Sequence, residues 1–475
     1  MRERGAWLGV VVGVFGWLMT ALVLVRGGGY LVVVPHLSLV LPLAVVGTVT
    51  ALVAFGVGRT SLNAVLWLAV VVAAGVACNF LVYWFRFGNA TWGLLLPLAK
   101  PTGIDFRDGL YDRASAVDIV HSAWPPLTLL LGRPFTLLDF STGYAVQIGI
   151  LVALAVAAAI LSAQLAMKAT CAPDLSGQGR QIDAKQLAQV LGLWLMTSYG
   201  FMYEVERGNI DLYALFFSLL AVWLMLRLPR SAWWPAVVLA VAINLKLYPG
   251  VLLVILFWRY RWRAVVPTVV ANAALLLIAG PENLWSTVTT LAAVQYNERG
   301  LWWGNHSAAA LANVLRHVTG WAPSWIYVPL LVVPLALWAL TLLLLVRRGW
   351  NDRRAVLAAA ACVPVMGVVP AISHDYKLVL YVFPLAVLAA VIATMSRRDL
   401  AVWSVLFGLL ALAMMFLSRS SLVIAPSLVA SKYTLLVLLQ LLLLSVVWQT
   451  DEGAAEPPQA ADAAPATDDP EKAVE

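Results

Sequence analysis

The sequence predicts an all-α polytopic membrane protein with about 12–14 transmembrane helices. Of its 475 residues, 62% are hydrophobic and only 12% are charged, whereas a soluble domain carries about 25% charged residues. Apolar runs of spanning length also recur along the whole chain. The three cysteines stand alone in or beside such runs, so neither a disulfide framework nor a zinc site is indicated. A globular core could not bury this much apolar surface, and a bilayer must cover it.

The predicted spans follow from length, because a membrane helix needs about 20 apolar residues. The first run follows Arg2 and Arg4 and ends without a small-residue cleavage site, so we expect a retained helix. The run 232–257 is interrupted by Lys246 and by Pro249-Gly250, which predict a break near Lys246. The other predicted spans are 7–25, 33–57, 62–84, 143–167, 187–203, 211–227, 264–281, 324–346, 355–372, 377–395, 400–417 and 432–449.

Basic residues in the short loops predict the orientation, because cytoplasmic loops of membrane proteins carry an excess of lysine and arginine. Alternating spans place all of these residues on the cytoplasmic side only if 232–257 enters and leaves the bilayer on one side. Both termini are then cytoplasmic. The basic residues concerned are Arg59, Lys168, Arg180, Lys185, Arg227, Arg230, Arg259, Arg261, Arg263, Arg347, Arg348, Arg353, Arg354, Arg397 and Arg398.

The charge balance divides the chain into a transmembrane domain, 1–450, and an acidic tail, 451–475. The tail holds eight acidic residues and one lysine and lacks aromatic residues, so we expect it to be disordered and cytoplasmic. The remainder carries 30 basic against 16 acidic residues. Most of that excess is arginine beside membrane spans, and we therefore expect a lipid bilayer and no nucleic acid as partner.

The polar segments predicted for the opposite, outer side suggest a functional site there. Two of them are the long loops 85–142 and 282–323, and loops of more than about 12–15 residues are usually functional. Within the first loop, 127–138 is apolar but too short to span, and it is expected to lie along the interface. The other outer segments are the short corners 204–209, 246–250, 373–376 and 418–431.

The loop 85–142 contains Asp105 in the stretch 103–113, which is rich in acidic and basic residues. A carboxylate just beyond a membrane helix can act as a general base that removes a proton from an attacking hydroxyl. The alternative is a solvated loop with surface ion pairs. Asp105 is the candidate catalytic residue.

Cations at three further outer corners suit an anionic phospholipid head group. Arg207 can bind phosphate bidentately. Lys246 lies in an apolar run, which marks a functional residue, although a lysine can also reach the interface by extending its side chain. His374 has acid, phenol and ammonium neighbours that suit phosphate or sugar hydroxyls.

Aromatic and amide groups near these cations can stack on a sugar and form hydrogen bonds with it. Outer-side aromatics include Trp124, Trp302 and Trp303. Together these groups match the chemistry of sugar transfer from a lipid phosphate, in which cations stabilise the departing phosphate. The candidate substrate-binding residues are Glu206, Asn209, Tyr248, Asn305, His306, Asp375 and Tyr376.

The order of these motifs resembles glycosyltransferase family 87, whose members are membrane enzymes of the GT-C type. The resemblance covers about residues 85–395. Three helices precede the first motif, where many relatives have one, and the family's usual Asn-Gln-Ser reads Asn-His-Ser here. The motifs are Asp105-Phe106 with Leu110-Tyr111, Trp124-Pro125-Pro126, Glu206-Arg207-Gly208-Asn209-Ile210-Asp211, Lys246-Leu247-Tyr248-Pro249, Asn305-His306-Ser307 and Ser373-His374-Asp375-Tyr376.

The resemblance implies a GT-C bundle that carries out an inverting transfer, with no metal and no cofactor. The donor would be a polyprenyl-phosphate sugar, with mannose or arabinofuranose as the sugar, and the acceptor a glycolipid or a glycan of the cell envelope. By the same resemblance Asp105 looks like the general base. Arg207, Lys246 and His374 look like the residues that hold the donor phosphate.

A transporter or flippase for a lipid-linked sugar is the main alternative. Such a protein would share the helices, cations and aromatics, but it should also carry charges in the middle of several spans and show repeat symmetry. Here the charges lie at helix mouths, and no internal repeat is visible. A purely structural scaffold would not explain why they cluster on one side.

Overall fold

The computed structural model describes residues 103–115, 124–170, 184–278, 280–295, 305–319, 324–393 and 431–452, with the positions 407, 408, 410 and 414. All elements within these ranges are helical, apart from an isolated bridge between Asn305 and His374. The predicted all-α class is confirmed for these ranges. The predicted spans 7–25, 33–57 and 62–84, most of 400–417, and the tail from 453 onwards lie outside the described residues.

Three of the described helices are long and apolar enough to cross a membrane: Phe140–Ala169, Tyr327–Arg347 and Asp375–Ile392. A fourth candidate is a pair of segments, Tyr248–Leu277 and Pro281–Thr290, which meet at a bend of 92°. By length and composition this is a helical membrane protein. The full set of about 12–14 spans in a GT-C bundle remains a prediction.

The first described helices precede the long helix. A short helical stretch occupies 104–115, and its middle, Arg107–Tyr111, is a π-helix. Helix α1, Leu127–Gly132, continues as the 3-10 helix Arg133–Leu137, so the apolar run 127–138 forms a short helix as predicted. Helix α2, Phe140–Ala169, is the longest in the described part of the chain.

Helix α2 crosses the described bundle from end to end. Its 30 residues span about 45 Å at about 1.5 Å per residue. Asp139 caps its first turn, because the Asp139 side chain accepts a hydrogen bond from the Thr142 N–H at 3.0 Å. One side of α2 buries small residues such as Ala158 and Ala159, which let neighbouring helices approach closely. The opposite side exposes apolar residues, as a lipid-facing surface does, namely Val146, Val152, Val156 and Ile160.

The predicted span 187–203 is divided in two. Helix α3, Ala184–Thr197, ends at Ser198. Helix α4, Tyr199–Arg207, begins there because the Ser198 hydroxyl accepts a hydrogen bond from the Phe201 N–H at 3.2 Å. Helix α5, Asp211–Arg227, matches the predicted span 211–227. A serine that caps a helix inside an apolar run can therefore divide a segment that is long enough to form one span.

The interrupted run 232–257 breaks where the sequence predicts. Helix α6, Trp233–Leu245, ends before Lys246, whose backbone is extended. The chain then forms a 3-10 helix, Tyr248–Leu252, helix α7, Leu253–Tyr260, and a second 3-10 helix, Arg261–Ala264. Pro249 within the first 3-10 turn cannot supply the N–H that a continuous helix would need.

The segment 282–323, interpreted from sequence as an outer loop, is largely helical in its described part, which corrects that expectation. It contains most of α9, Pro281–Gln295, and all of α10, Ala308–Thr319. The Ser307 hydroxyl caps α10 by accepting from the Ala310 N–H at 3.1 Å. These helices carry polar residues and are short, so a search for spans by hydropathy does not find them. Helix α8, Val265–Leu277, precedes them.

The remaining helices complete the core. Helix α12 is the central one, since every residue from 355 to 368 is buried. The last predicted span lengthens to α14, which runs to Glu452 and thus two residues into the predicted tail. The bounds are α11 Tyr327–Arg347, α12 Asp352–Val368, the 3-10 helix Asp375–Tyr381, α13 Val382–Ala393 and α14 Ser431–Glu452.

The arginine-rich corners meet at one end of the described bundle. Lys168 at the end of α2 lies 3.6 Å from Asp352 at the start of α12. Arg353 Nε donates to the Ala169 carbonyl at 3.0 Å, and Arg348 Nη1 donates to the Val447 carbonyl in α14 at 3.0 Å. The start of α2, the start of α5 and the end of α6 lie at the other end. That second end is called the site end below.

Candidate active site

Asp105 is held at the site end by two side chains from the α4–α5 corner. Arg207 donates from Nε to Oδ2 of Asp105 at 2.7 Å, and its Nη2 donates to Oδ1. Asn209 Nδ2 also donates to Oδ2 at 2.7 Å. The two-pronged contact uses the planar geometry of the guanidinium. The side chains of Asp105 and Arg207 remain 13% and 27% exposed, so the pair borders open space.

A charged partner changes the protonation equilibrium of Arg207. Burial disfavours its charged form, but the hydrogen bonds and the charge of Asp105 outweigh burial and raise the pKa of the guanidinium. Arg207 is therefore a permanent cation at this corner.

Two local features bring Asp105 to this corner. The next residue, Phe106, is fully buried, and its ring packs edge-on against Phe135 and Tyr144 at centroid distances of 5.2 and 5.6 Å. Gly208 follows Arg207 with a φ of 68°, and a Cβ there would lie 2.6 Å from Cβ of Phe106. Only glycine allows both the left-handed turn and this approach of the two segments.

Lys246 lies in a half-enclosed position at the same end. Its Nζ is 3.4 Å from Oδ2 of Asp211, and its side chain is 14% exposed. The ammonium also lies 4.4 Å from the ring centroid of Trp124 and 5.6 Å from that of Tyr376. Aromatic faces attract a cation at such distances. Tyr248 donates its hydroxyl to Oδ1 of Asp211 at 2.6 Å, so each oxygen of that carboxylate has a polar neighbour.

An aromatic pair connects the two ion pairs. The ring of Tyr203 stacks on that of Tyr376, with centroids 6.2 Å apart and planes 8° apart. The Arg207 guanidinium lies 5.7 Å from the Tyr203 centroid, and Lys246 faces the Tyr376 ring. These contacts join Asp105 and Lys246, which are 141 positions apart in the sequence, into one partly exposed polar cluster. The space that this cluster borders is called the pocket below.

Glu204 lies beneath these groups and is fully buried. Its Oε1 accepts a hydrogen bond from the Leu212 N–H at 3.1 Å, near the first turn of α5. Burial, followed by the charge of Asp211, raises the pKa of Glu204 well above its usual range.

Asn305 ties a second polar corner together. Its Nδ2 donates to the Ala371 carbonyl at 2.7 Å, and its Oδ1 accepts from the Ser373 N–H at 2.8 Å. The His306 N–H donates to the Ser373 carbonyl at 2.8 Å. The Asn305 amide thus joins 305–307 to 371–373, so the side chain predicted to bind substrate makes structural contacts here.

Behind this corner is a buried triad of His306, Asp375 and Lys432. Nε2 of His306 lies 2.8 Å from Oδ1 of Asp375, and Lys432 Nζ donates to the same oxygen at 3.0 Å. Each of the three side chains is only 2% exposed. Burial lowers the pKa of His306, so the ring is neutral at neutral pH. His306 and Asp375, both predicted to bind substrate, are thus enclosed within the protein.

His374 lies at the edge of the pocket, with its ring 5.7 Å from that of Tyr376 in a T-shaped arrangement. Burial lowers the pKa of His374 to about 4. At neutral pH the ring can therefore form hydrogen bonds but carries no charge, in contrast to the cation expected from the sequence.

The remaining predicted residues fall into three groups. Tyr248 and Tyr376 border the pocket as described. The Glu206 side chain, like Trp302 and Trp303, lies outside the described residues. Lys377, the ammonium neighbour of His374 in the sequence, is buried, and its Nζ donates to the Ile372 carbonyl at 2.7 Å.

Two contributors were not assigned as site residues from the sequence. Lys432 is separated by 57 positions from its partner Asp375, and as the first charge of an apolar span it resembles an ordinary flanking lysine. Asp211, the counter-ion of Lys246, belongs to the polar stretch after α4, so a signal was present there. Within the described ranges, no group of three or more His, Cys, Asp or Glu side chains is arranged to hold a metal ion.

Comparison with known proteins gives one finding. The model of glycosyltransferase family 87 matches residues 123–371, which is slightly more than half of the chain. The match includes Arg207, Lys246 and Asn305, whereas Asp105 and His374 lie beyond its two limits. Neither the comparison with curated proteins nor that with solved structures gives a match.

Proposed function

The chain belongs to glycosyltransferase family 87, and from this premise we propose that it transfers a sugar from a polyprenyl-phosphate donor to a glycolipid or glycan acceptor, with inversion at the anomeric carbon. The family makes the protein a glycosyltransferase, and its apolar helices make it a membrane protein. Mannose and arabinofuranose are the candidate sugars.

The observation that carries the proposal is the series of contacts that joins Asp105 to Lys246 at the site end. A transfer from a lipid phosphate needs a group that accepts a proton and cations that stabilise the departing phosphate. Here a carboxylate and an ammonium from remote segments border one opening, linked by Arg207, Tyr203 and Tyr376. The opening lies at helix ends, where a lipid head group can reach it while its chain stays in the bilayer.

In the proposed reaction, an acceptor hydroxyl attacks the anomeric carbon while the bond from that carbon to the phosphate oxygen breaks. The phosphate leaves with the electron pair, and the hydroxyl proton passes to Asp105. Arg207 and Asn209 orient the carboxylate and occupy part of its acceptor capacity. Oδ1, which among the described residues accepts from Arg207 alone, keeps a lone pair for the acceptor hydroxyl.

The donor phosphate binds Lys246, which moves from Asp211 towards it, and the N–H groups of Arg207 that Asp105 leaves free. His374 contributes a neutral hydrogen bond. Asn209, Tyr248 and Tyr376 contact the sugar, and the ring of Trp124 covers one side of the ammonium. Every cation that the mechanism uses is already held in place by a partner, which limits the reorganisation that the reaction requires.

The arginine-rich end of the bundle faces the cytoplasm, in keeping with the positive-inside tendency. The site end then opens on the extracytoplasmic side of the cell membrane, and both termini are cytoplasmic. This sidedness suits a donor and an acceptor that are both anchored in the outer leaflet.

The experiment is a transfer assay with membranes and radiolabelled polyprenyl-phosphate mannose or arabinose. We expect a labelled lipid-linked or polysaccharide product from one of the two donors. Asp105→Asn should abolish it, whereas Asp108→Asn, an exposed acid on the same helical stretch, should not. Equal product from wild type and Asp105→Asn would remove Asp105 from its role. A failure to label any product with either donor would count against the donor class.

A further inference from the structure

Glu204 is a buried carboxyl group that the proposed mechanism leaves without a task. It is 0% exposed, and only its Oε1 has a hydrogen-bond donor, the Leu212 N–H at 3.1 Å. Its Oε2 is buried without a hydrogen-bond partner among the described residues. A fully ionised carboxylate would be costly in such a place, because burial without compensation disfavours charge.

Glu204 and Asp211 are two carboxyl groups near the same lysine, Lys246. Asp211 precedes Leu212, the residue whose N–H donates to Glu204. Asp211 already forms an ion pair with Lys246 at 3.4 Å and accepts a hydrogen bond from the Tyr248 hydroxyl at 2.6 Å. Two carboxylates that share a site cannot both ionise easily, so one of them retains a proton. The ionisable groups that act on Glu204 from the elements around it are Asp105, Asp211, Lys246, Tyr213, Tyr248 and Tyr376.

The two partly exposed cations of the pocket, Arg207 and Lys246, already have carboxylate partners, so neither is left to pair with Glu204. With a protonated Glu204, Arg207 balances Asp105 and Lys246 balances Asp211. An ionised Glu204 would add a negative charge beside Lys246. The next cation, Lys377, acts on Asp211 and donates its Nζ to the Ile372 carbonyl. At the low effective dielectric constant of such a site, the negative charge of Glu204 would repel an incoming phosphate.

We infer that Glu204 is held as a neutral carboxylic acid and sets the charge of the pocket, so that Lys246 can leave Asp211 for the anionic phosphate of the donor. The inference rests on the proposed function for the identity of the ligand. Glu204 touches neither donor nor acceptor and acts through Asp211 and Lys246, which makes it a positioning residue. Its role as an acceptor at the start of α5 requires only an oxygen atom and is the same in either protonation state.

Glu204→Gln separates these roles, because the amide oxygen can still accept from Leu212 N–H while the side chain cannot ionise. The probe is polyprenyl-phosphate mannose, a phosphodiester that keeps one negative charge across the pH range. We expect its affinity for the wild type to fall roughly tenfold or more as rising pH ionises Glu204. The affinity for Glu204→Gln should fall much less over the same range, because only the other titratable groups near Lys246 and Asp211, Lys377 among them, can then change their charge. Asp108→Asn serves as the matched control and should follow the wild type.

An infrared titration of the same proteins reports protonation without any ligand. The wild type should show the carbonyl band of a protonated carboxylic acid at neutral pH, and Glu204→Gln should lack it. Absence of the band from the wild type, or equal pH dependence of probe binding in both proteins, would overturn the inference. If both results are as expected but no donor supports transfer, the proposed function fails and the inference about Glu204 stands.

Discussion

The pair Asp105–Arg207 and the pair Asp375–Lys432 are both carboxylate–cation contacts at the site end, with hydrogen bonds of 2.7 and 3.0 Å. The first borders the pocket, with side chains 13% and 27% exposed, and the second is enclosed, with both side chains 2% exposed. An accessible pair can exchange a partner for substrate, whereas an enclosed pair can only hold segments together. The same two kinds of group can thus serve chemistry in one place and architecture in the other.

The strongest test of this contrast acts on the accessible pair. Asp105→Asn should lower the transfer rate by a factor of about 10²–10⁴, the usual contribution of a general base. The unfolding temperature should fall less than in the Lys432 variant below, because the pair is partly exposed and the amide oxygen keeps one of the two Arg207 hydrogen bonds, while the amide NH2 group faces the other donor. Rates from the transfer assay and melting curves in detergent measure the two effects. A large loss of stability with a normal rate would reverse the assignment.

The converse test acts on the enclosed pair. Lys432→Met should lower the free energy of unfolding by about 3–5 kcal/mol, because it leaves Asp375 buried without its cation. The double variant with Asp375→Asn should recover part of this loss. Arg230→Met, which removes an exposed cation at the other end, should stay within about 0.5 kcal/mol of the wild type. Unaltered stability of Lys432→Met would argue against an enclosed, structural pair.

Lys246 belongs to the accessible group, so its loss should weaken donor binding more than it slows chemistry. Lys246→Met should cost about 2–5 kcal/mol of donor affinity, as removal of one member of a desolvated charge pair does. Lys246→Arg should restore part of it. The measurement is KM for the donor against kcat. A fall in kcat beside the rise in KM would fit the contact of Lys246 with the departing phosphate, whereas an unchanged KM would remove Lys246 from donor binding.

Trp124 tests the accessible group through a smaller contribution to donor binding. The cation–aromatic contact between Trp124 and Lys246 is worth about 0.5–2 kcal/mol. Trp124→Leu should therefore raise the donor KM by a modest factor, while Trp124→Phe should retain most of the effect. An unchanged KM in Trp124→Leu would show that the ring does not contribute to the position of Lys246.

The last test concerns the dependence of stability on pH that Glu204 causes. Because burial and Asp211 raise its pKa in the folded state, its contribution to stability is complete below the unfolded pKa and is lost as the pH rises through the folded pKa. Glu204→Gln should therefore melt at an increasingly higher temperature than the wild type as the pH rises. Parallel melting curves at all pH values would contradict this account.

Local chemistry explains which parts of this structure the sequence could predict. Helix α5 has the predicted bounds, and the run 232–257 breaks at Lys246, because apolar length and a Pro-Gly pair act on their own segment. The gathering of polar corners at one end followed from the alternation of spans. The cap at Ser198 was missed, since a serine in an apolar run has several uses.

Pairings between distant segments could not be predicted in this way. Arg207 was expected to bind the donor phosphate, and its contact with Asp105, which is 102 positions away, was not foreseen. The buried ion pair between Asp375 and Lys432 forms only because the packing of α14 brings Lys432 to the 3-10 helix that begins at Asp375, and hydropathy does not determine that packing. Burial likewise decides that His374 is neutral, and the neighbours of a residue in the sequence do not reveal its burial.

An electron cryo-microscopy structure of the protein in lipid nanodiscs, with a bound polyprenyl-phosphate sugar, tests the central claim most directly. We predict that the phosphate lies within hydrogen-bond distance of Lys246 Nζ and that the Asp105 carboxylate faces the anomeric carbon from the side opposite the phosphate. A phosphate bound at another end of the bundle, or an Asp105 that faces away from the sugar, would contradict the account.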